Sequence, residues 1–151
     1  MAEHHFYLKA DWTGGRNSVG NIDTENLKTK VSIPHQMDGP GIGTNPDEML
    51  LGAAATCYII TLAAMLERSS LEVHSLSLES EAVVEVIRGV NTFRKIIHRP
   101  FIVLPAKSCA DVQDKIKKLA EKAEASCMIT RAIKGNVEVQ LEVNITLNEQ
   151  D

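Results

Sequence analysis

Apolar and polar residues alternate along several stretches of the chain, which is typical of strands with one buried face. In the first stretch, Phe6, Leu8, Ala10 and Trp12 all fall on the same face. A stretch rich in Pro and Gly, residues 34–43, is predicted to be an irregular loop. The segments predicted as strands are His5–Thr13, Ser18–Ile22, Thr29–Ile33, His74–Ile87, Thr92–Leu104 and Asn136–Leu147.

A different pattern follows Asn45, where apolar residues occur on almost every side of a helix that is expected to end near Ser69. Asn45 suits the N-cap, Pro46 the first helical position and Glu48 the third position of a capping box. A helix that is apolar all round needs protein or lipid on every side. Met49–Leu66 contains five alanines and is weakly hydrophobic for a membrane span. We therefore expect a long buried central helix and no membrane.

Two further helices are predicted after the fifth strand. The first begins after Ser108 and carries an apolar stripe at helical spacing. Ser126 is expected to cap a short helix, Cys127–Ile133, which Gly135 ends. The order of strands, buried helix, strands, helices and strand predicts an α+β fold in one domain of 151 residues. Because so small a domain cannot cover the central helix on all sides, a homodimer with paired central helices is expected.

Composition and charge remove several classes of function. The net charge is −4, which leaves no basic surface for nucleic acid. The N-terminus lacks the layout of a signal peptide, so a cytoplasmic location is expected. The three cysteines form no C-x-x-C pair, and the five histidines lack the spacing of metal ligands. We therefore expect no structural disulfide framework, no metal and no cofactor.

The local sequence does not single out one reactive thiol. A buried cysteine such as Cys57 is usually an inert apolar residue. Cys127, expected at a helix start, is in a position that favours a thiolate, and Cys109 is also close to a helix start. Arg16 in a glycine turn is most simply a solvated residue, and a capping box is enough to explain Glu48.

Three segments resemble one known family. GTNPDEMLLGAAATCYI, from Gly43 to Ile59, closely resembles the signature helix of the OsmC/Ohr family of osmotically inducible and organic hydroperoxide resistance proteins. SCMITRAIKGNVEVQLEV, from Ser126, resembles the family's second cysteine motif and final strand, and GGRNS, from Gly14, resembles the arginine turn of the Ohr branch. The likeness covers essentially the whole chain.

This resemblance implies an OsmC-like fold, with antiparallel strands around the buried helix, in an intertwined homodimer with active sites at the interface. It implies a thiol peroxidase in which Cys57 is the peroxidatic cysteine and Cys127 the resolving cysteine. Arg16 then matches the arginine that stabilises the thiolate, and Glu48 the acid that holds this arginine. The substrates implied are alkyl or lipid-like hydroperoxides. The reductant implied is a dithiol, either dihydrolipoamide or a lipoylated protein.

One departure from the family's pattern lies beside the second cysteine. The family usually has C-P-[YV]-S, whereas here Met128 replaces the proline and Thr130 the serine. Loss of the proline is expected to loosen the helix start. Two other functions fit the same residues: a dimer that binds a small apolar ligand without catalysis, and a redox sensor whose disulfide signals to a partner.

Overall fold

The computed structural model describes residues 1–149 and divides the chain into two compact units, residues 1–49 and residues 50 onward. The N-terminal unit contains an antiparallel sheet of three strands in the order β1-β2-β3, and a 3-10 turn, His35–Met37, in the predicted loop. The strands are β1 (Lys9–Asp11), β2 (Gly20–Asp23) and β3 (Lys28–Val31).

The first strand is much shorter than the alternating pattern predicts. Only Lys9–Asp11 pairs with β2, because β2 itself has four residues and no other strand of this unit continues the ladder. Phe6, outside the paired stretch, is 94% exposed, and Leu8 and Trp12 are exposed as well. The expected apolar face therefore exists in sequence, but the N-terminal unit does not cover it.

The central helix α1, Pro46–Ser69, begins and ends where the sequence predicts. The Glu48 N–H donates to Asn45 Oδ1 at 2.9 Å, and Asn45 Nδ2 donates to Glu48 Oε1 at 2.8 Å. These two bonds satisfy one of the free N–H groups of the first turn, and they fix the start of the helix. The capping role predicted for Asn45 and Glu48 is confirmed.

Burial along α1 is narrower than expected, since the helix buries one stripe rather than all sides. Every fourth residue is buried: Ala54, Tyr58, Leu62 and Leu66. Ile60, on another side, is 67% exposed. The most apolar 18-residue window of α1 has mean hydropathy 2.0 and is 22% buried. By length and composition alone, α1 is therefore long and apolar enough to cross a membrane. Core helices of soluble proteins share this property.

The second unit contains a mixed sheet in place of the expected antiparallel one. The strands β4 (Ser75–Ile87) and β5 (Val90–Leu104) form an antiparallel hairpin. The predicted last strand is divided into β6 (Glu138–Leu141) and β7 (Asn144–Leu147), and both run parallel to β5. Pro100 lies between the two paired stretches of β5 and has no N–H to donate, which accounts for the interruption.

Two helices, α2 (Ala110–Ser126) and α3 (Met128–Ile133), connect the hairpin to β6. Both predicted starts are wrong by one residue. The N-cap of α2 is Cys109 rather than Ser108, and the N-cap of α3 is Cys127 rather than Ser126. The Ser126 hydroxyl donates back to the Lys122 carbonyl at 2.8 Å, so Ser126 is the last residue of α2. Gly135, at φ 87°, follows α3 as predicted.

The main core of this unit joins the buried stripe of α1 to β5 and α2. Its fully buried members include Tyr58, Leu62, Ile102 and Ile116. A second, smaller cluster contains Ala54 from α1, Ile96 from β5 and Val137 just before β6. Cys57 and Cys127 therefore belong to elements that pack on a common core.

Candidate active site

Cys57 lies in the middle of α1, next to the buried stripe, and its side chain is half-buried. Cys127 lies at the junction of α2 and α3 and is fully buried, with 0% exposure. Its N–H donates to the Ala123 carbonyl at 3.0 Å, which fixes the backbone at the junction. Cys57 is thus partly exposed, whereas Cys127 lies inside the unit.

The fold brings these two thiols together, although they are 70 residues apart in sequence. Their side chains lie close enough that each thiol shifts the pKa of the other, and both are free thiols. Tyr58, the residue after Cys57, holds the two helices together, since its hydroxyl donates to the Ala120 carbonyl of α2 at 3.1 Å. Packing at Tyr58 thus places Cys57 against the junction that carries Cys127.

The environment of Cys57 favours the thiolate. Burial raises the pKa of this thiol, but the opposing influences are larger in sum and the pKa is lowered. They are a hydrogen bond from the Cys127 thiol, the backbone N–H groups of Ile129 and Met128, and the Thr61 hydroxyl. The Thr61 contribution is the weakest, because its single proton already donates to the Cys57 carbonyl at 2.7 Å.

The environment of Cys127 favours the neutral thiol. Burial raises its pKa. The neighbouring Cys57 raises it further, because a Cys57 thiolate is stabilised by a neutral Cys127 thiol that donates to it and is repelled by a Cys127 thiolate. The backbone N–H and the hydroxyl of Thr130 act in the opposite direction without reversing the result. At neutral pH the pair is therefore poised with Cys57 as the acceptor and Cys127 as the donor.

Arg16 and Glu48 both lie in the N-terminal unit. The Arg16 guanidinium donates to the carbonyls of Met37 at 2.7 Å and Asp38 at 3.2 Å, and to Asn17 Oδ1 at 3.0 Å. Glu48 accepts from Asn45 in the capping box. Within residues 1–149 no ion pair joins Arg16 to Glu48 in one chain. Their predicted partnership with each other and with Cys57 stays a prediction.

Tyr58, the residue after Cys57, belongs to a buried aromatic stack that the sequence did not predict. The rings of Tyr58 and His98 are parallel, with centroids 5.0 Å apart. His98 Nδ1 lies 2.6 Å from Ser80 Oγ, while its buried Nε2 has no hydrogen-bond partner among the described residues. Burial lowers the pKa of His98 to about 4, so the ring is neutral at physiological pH.

The third thiol, Cys109, is exposed at the start of α2 and makes no capping hydrogen bond through its side chain. Among residues 1–149, no group of three or more His, Cys, Asp or Glu side chains is arranged to hold a metal ion.

The comparison with known protein families agrees with this geometry. Residues 39–142, which contain both thiols of the pair, match the model of the family described as OsmC-like protein. The chain belongs to the OsmC-like protein family. The family resemblance found in the sequence, and the α+β fold expected from it, are therefore confirmed.

Individual OsmC-like relatives place the chain further. It is 63% identical over 147 residues to the uncharacterised protein YmaD of Bacillus subtilis (strain 168), covering 97% of this chain and 98% of that protein. It is 28% identical over 131 residues to an organic hydroperoxide resistance protein of Xanthomonas axonopodis pv. citri, covering 85% and 87%. A crystal structure of the organic hydroperoxide resistance protein OsmC from Legionella pneumophila superposes with a TM-score of 0.76 at 25% identity, covering 95% and 99%.

The residue that departs from the OsmC-like motif has a specific consequence in this structure. Met128 is the first residue of α3, and α3 forms without the proline. The Met128 N–H is one of the groups that lower the pKa of Cys57. A proline in the same place has no N–H, so this chain gains a donor where the sequence suggested only a looser helix.

Proposed function

We propose that this chain is a cysteine-based peroxidase that reduces organic hydroperoxides, alkyl or lipid-like, to alcohols. The observation that carries the proposal is the contact between a half-buried thiol with a lowered pKa and a buried thiol with a raised one. Such a pair is suited to an attacking and a resolving cysteine. The relatives named organic hydroperoxide resistance proteins support the same class of substrate.

The first step is attack by the Cys57 thiolate on the terminal oxygen of the hydroperoxide, the oxygen that carries the hydrogen. A sulfur–oxygen bond forms, the oxygen–oxygen bond breaks, and the alkoxide leaves with a proton from solvent as the alcohol. Cys57 is oxidised to a sulfenic acid while the peroxide is reduced. The exposed apolar side chains of Ile60 and Met128, near the two thiols in sequence, favour alkyl or lipid-like peroxides over hydrogen peroxide.

The second half of the cycle forms and reduces a disulfide. The Cys127 sulfur attacks the sulfenic sulfur, and water leaves. A dithiol donor, such as dihydrolipoamide or a lipoylated protein, then restores both thiols by exchange and becomes a disulfide itself. This cycle belongs in the cytoplasm, where thiols are kept reduced.

Arg16 and Glu48 complete the site in this proposal, with Arg16 facing the thiolate and Glu48 holding the guanidinium. A guanidinium there stabilises the thiolate and the departing alkoxide. The uncovered faces of α1 and of the first strand support an intertwined homodimer that brings these parts together. Arg16→Ala is expected to raise the pKa of Cys57; an unchanged alkylation profile of Cys57 against pH would remove Arg16 from the site.

The proposal is tested by turnover of cumene hydroperoxide with dihydrolipoamide as reductant. Cys57→Ser is expected to reduce consumption to the uncatalysed rate, because the attacking sulfur is gone. The matched control is Cys109→Ser, which changes an exposed thiol outside the pair and is expected to leave the rate unchanged. Consumption by Cys57→Ser at the wild-type rate would refute the peroxidase. Oxidation of the wild type without recycling by the dithiol would instead favour the redox sensor.

A further inference from the structure

Thr130 carries a hydroxyl that the fold leaves without a partner. The residue lies in α3, three positions after Cys127, and is 8% exposed. Its Oγ1 is buried and has no hydrogen-bond partner among the described residues. Thr130 lines an open cavity of about 320 Å³ with residues of α2 and β6, yet the oxygen itself is closed to solvent. Burying a hydroxyl in this way is unfavourable unless something accepts its proton.

Other threonines of the chain show what Thr130 does not do. The hydroxyls of Thr56 and Thr61 each donate to the carbonyl four residues earlier, both at 2.7 Å. This is the ordinary partner of a threonine in a helix. Thr130 makes no such bond, so its donor capacity is left unused.

The group that gains from this donor is the Cys127 sulfur, three residues earlier in the chain. Burial and the Cys57 thiol raise the pKa of Cys127, whereas the Thr130 hydroxyl and N–H lower it. The hydroxyl does so from outside hydrogen-bond distance of the sulfur, because Oγ1 has no partner among the described residues. The neutral thiol receives no capping hydrogen bond through its side chain. Sulfur accepts strongly only as a thiolate, because hydrogen bonds to charged acceptors are roughly twice as strong as neutral ones.

We propose that the Thr130 hydroxyl is the hydrogen-bond donor reserved for the Cys127 thiolate, and that it stabilises this sulfur whenever Cys127 becomes charged. The inference rests on the proposed peroxidase cycle, in which Cys127 is charged twice. As a thiolate it attacks the Cys57 sulfenic acid, forming the sulfur–sulfur bond while the hydroxyl leaves and takes up a proton as water. During reduction the donor thiolate attacks the more accessible Cys57 sulfur, and Cys127 leaves as a thiolate.

The same hydrogen bond speeds both steps. A thiol with a pKa above the ambient pH gains tenfold in thiolate fraction for each tenfold gain in acidity, and it loses only about threefold in intrinsic nucleophilicity. The net effect on attack is a gain of about threefold. A leaving thiol of lower pKa also leaves faster. Thr130 is therefore a positioning residue: it stabilises the Cys127 thiolate and does not contact the peroxide.

The first test measures the thiolate of Cys127 alone. In a Cys57→Ser/Cys109→Ser background Cys127 is the one remaining thiol, and its ionisation is followed by ultraviolet absorbance against pH. Adding Thr130→Val, which keeps the shape and removes the hydroxyl, is expected to move the midpoint to higher pH. Thr130→Ser is expected to restore it, and Thr92→Val, whose hydroxyl bonds Val90 in the hairpin, to leave it unchanged. Equal midpoints for Thr130→Val and Thr130→Ser overturn the inference.

The second test uses the otherwise unaltered chain and one equivalent of cumene hydroperoxide. Thr130→Val is expected to form the Cys57–Cys127 disulfide about three- to tenfold more slowly and to be reduced more slowly by dihydrolipoamide. Its thermal midpoint is expected to stay at or above that of the wild type, because an unpaired buried hydroxyl is removed. If Thr130→Val fails to fold, Thr130→Ala against Thr130→Ser gives the same contrast.

The two tests separate the inference from the proposed function. A shifted midpoint without any disulfide in the wild type would retain Thr130 as a donor and reject the peroxidase cycle. A disulfide that forms at equal rates in wild type and Thr130→Val, with equal midpoints, would reject Thr130 alone.

Discussion

The two thiols of the pair are chemically identical, and their surroundings make them opposites. Cys57 is half-buried in the middle of a helix, and N–H and thiol donors converge on it. Cys127 is fully buried between two helices and donates to its neighbour. Burial raises the pKa of both, so burial does not distinguish them. The number and direction of hydrogen-bond donors decides which sulfur is poised to be the nucleophile.

Cys127→Ser is expected to have the largest effect, because it distinguishes the role of Cys57 from that of Cys127. The first attack by Cys57 is expected to survive, since it needs no second sulfur, while turnover supported by a dithiol is lost. We expect one equivalent of alcohol per chain and a sulfenic acid at Cys57 that dimedone traps. Rapid-mix product analysis of this variant beside Cys57→Ser checks the contrast. Steady turnover at the wild-type rate would show that Cys127 does not resolve the intermediate.

Acid is expected to destabilise the fold through His98, which stacks on Tyr58 next to Cys57. His98 has a pKa of about 4 in the fold against 6.5 for an ordinary histidine, so the folded state favours the neutral ring. This contribution is fully present above pH 6.5 and is lost as the pH falls from 6.5 towards 4. The loss amounts to about 3 kcal/mol of unfolding free energy.

Urea unfolding at pH 7 and at pH 4.5 measures this loss. His98→Asn, which keeps an acceptor near Ser80 and cannot become charged, is expected to depend less steeply on pH than the wild type. Carboxylates contribute equally to both proteins, so the difference between the two slopes isolates His98. Equal slopes would show that His98 is not a source of acid sensitivity.

Met128→Pro is expected to have a smaller effect, which is confined to the pKa and the reactivity of Cys57. Cys127 has ψ 127°, the extended backbone that a residue before proline prefers, so the backbone before position 128 is compatible with the substitution. The change removes one N–H that favours the Cys57 thiolate and is expected to raise the pKa of Cys57. The second-order rate constant for attack on peroxide at neutral pH should fall by about a few-fold. Alkylation of Cys57 against pH, with Met128→Ala as control, decides whether the N–H matters.

The elements that the sequence predicts well are those defined by local interactions. The start of α1 follows from Asn45, Pro46 and Glu48, which lie within one turn. The prediction for β1 is too long, because the length of this strand depends on its pairing with β2. The last strand is predicted as one piece but is divided in two, because its pairing is interrupted at Pro100 of β5, which is remote in sequence. The start of α3 was missed by one residue because Ser126 bonds backwards instead of forwards.

The candidate site was less accessible from the sequence than the fold. Spacing alone does not bring Cys57 to Cys127, and only the family resemblance pointed to the pair. His98 gave no signal, since a lone histidine in a strand is an ordinary residue, and Thr130 was noted only as the residue in place of the family's serine. Their importance depends on burial and on missing partners, which only the folded chain reveals.

Intact mass and peptide mapping after one equivalent of an organic hydroperoxide test the central claim most directly. We predict a chain lighter by the two hydrogen atoms lost in a disulfide, with Cys57 and Cys127 found in one cross-linked peptide pair. Cys109 is predicted to remain a free thiol. Oxidation confined to Cys109, or a Cys57 that takes up oxygen without ever bonding to Cys127, would contradict it.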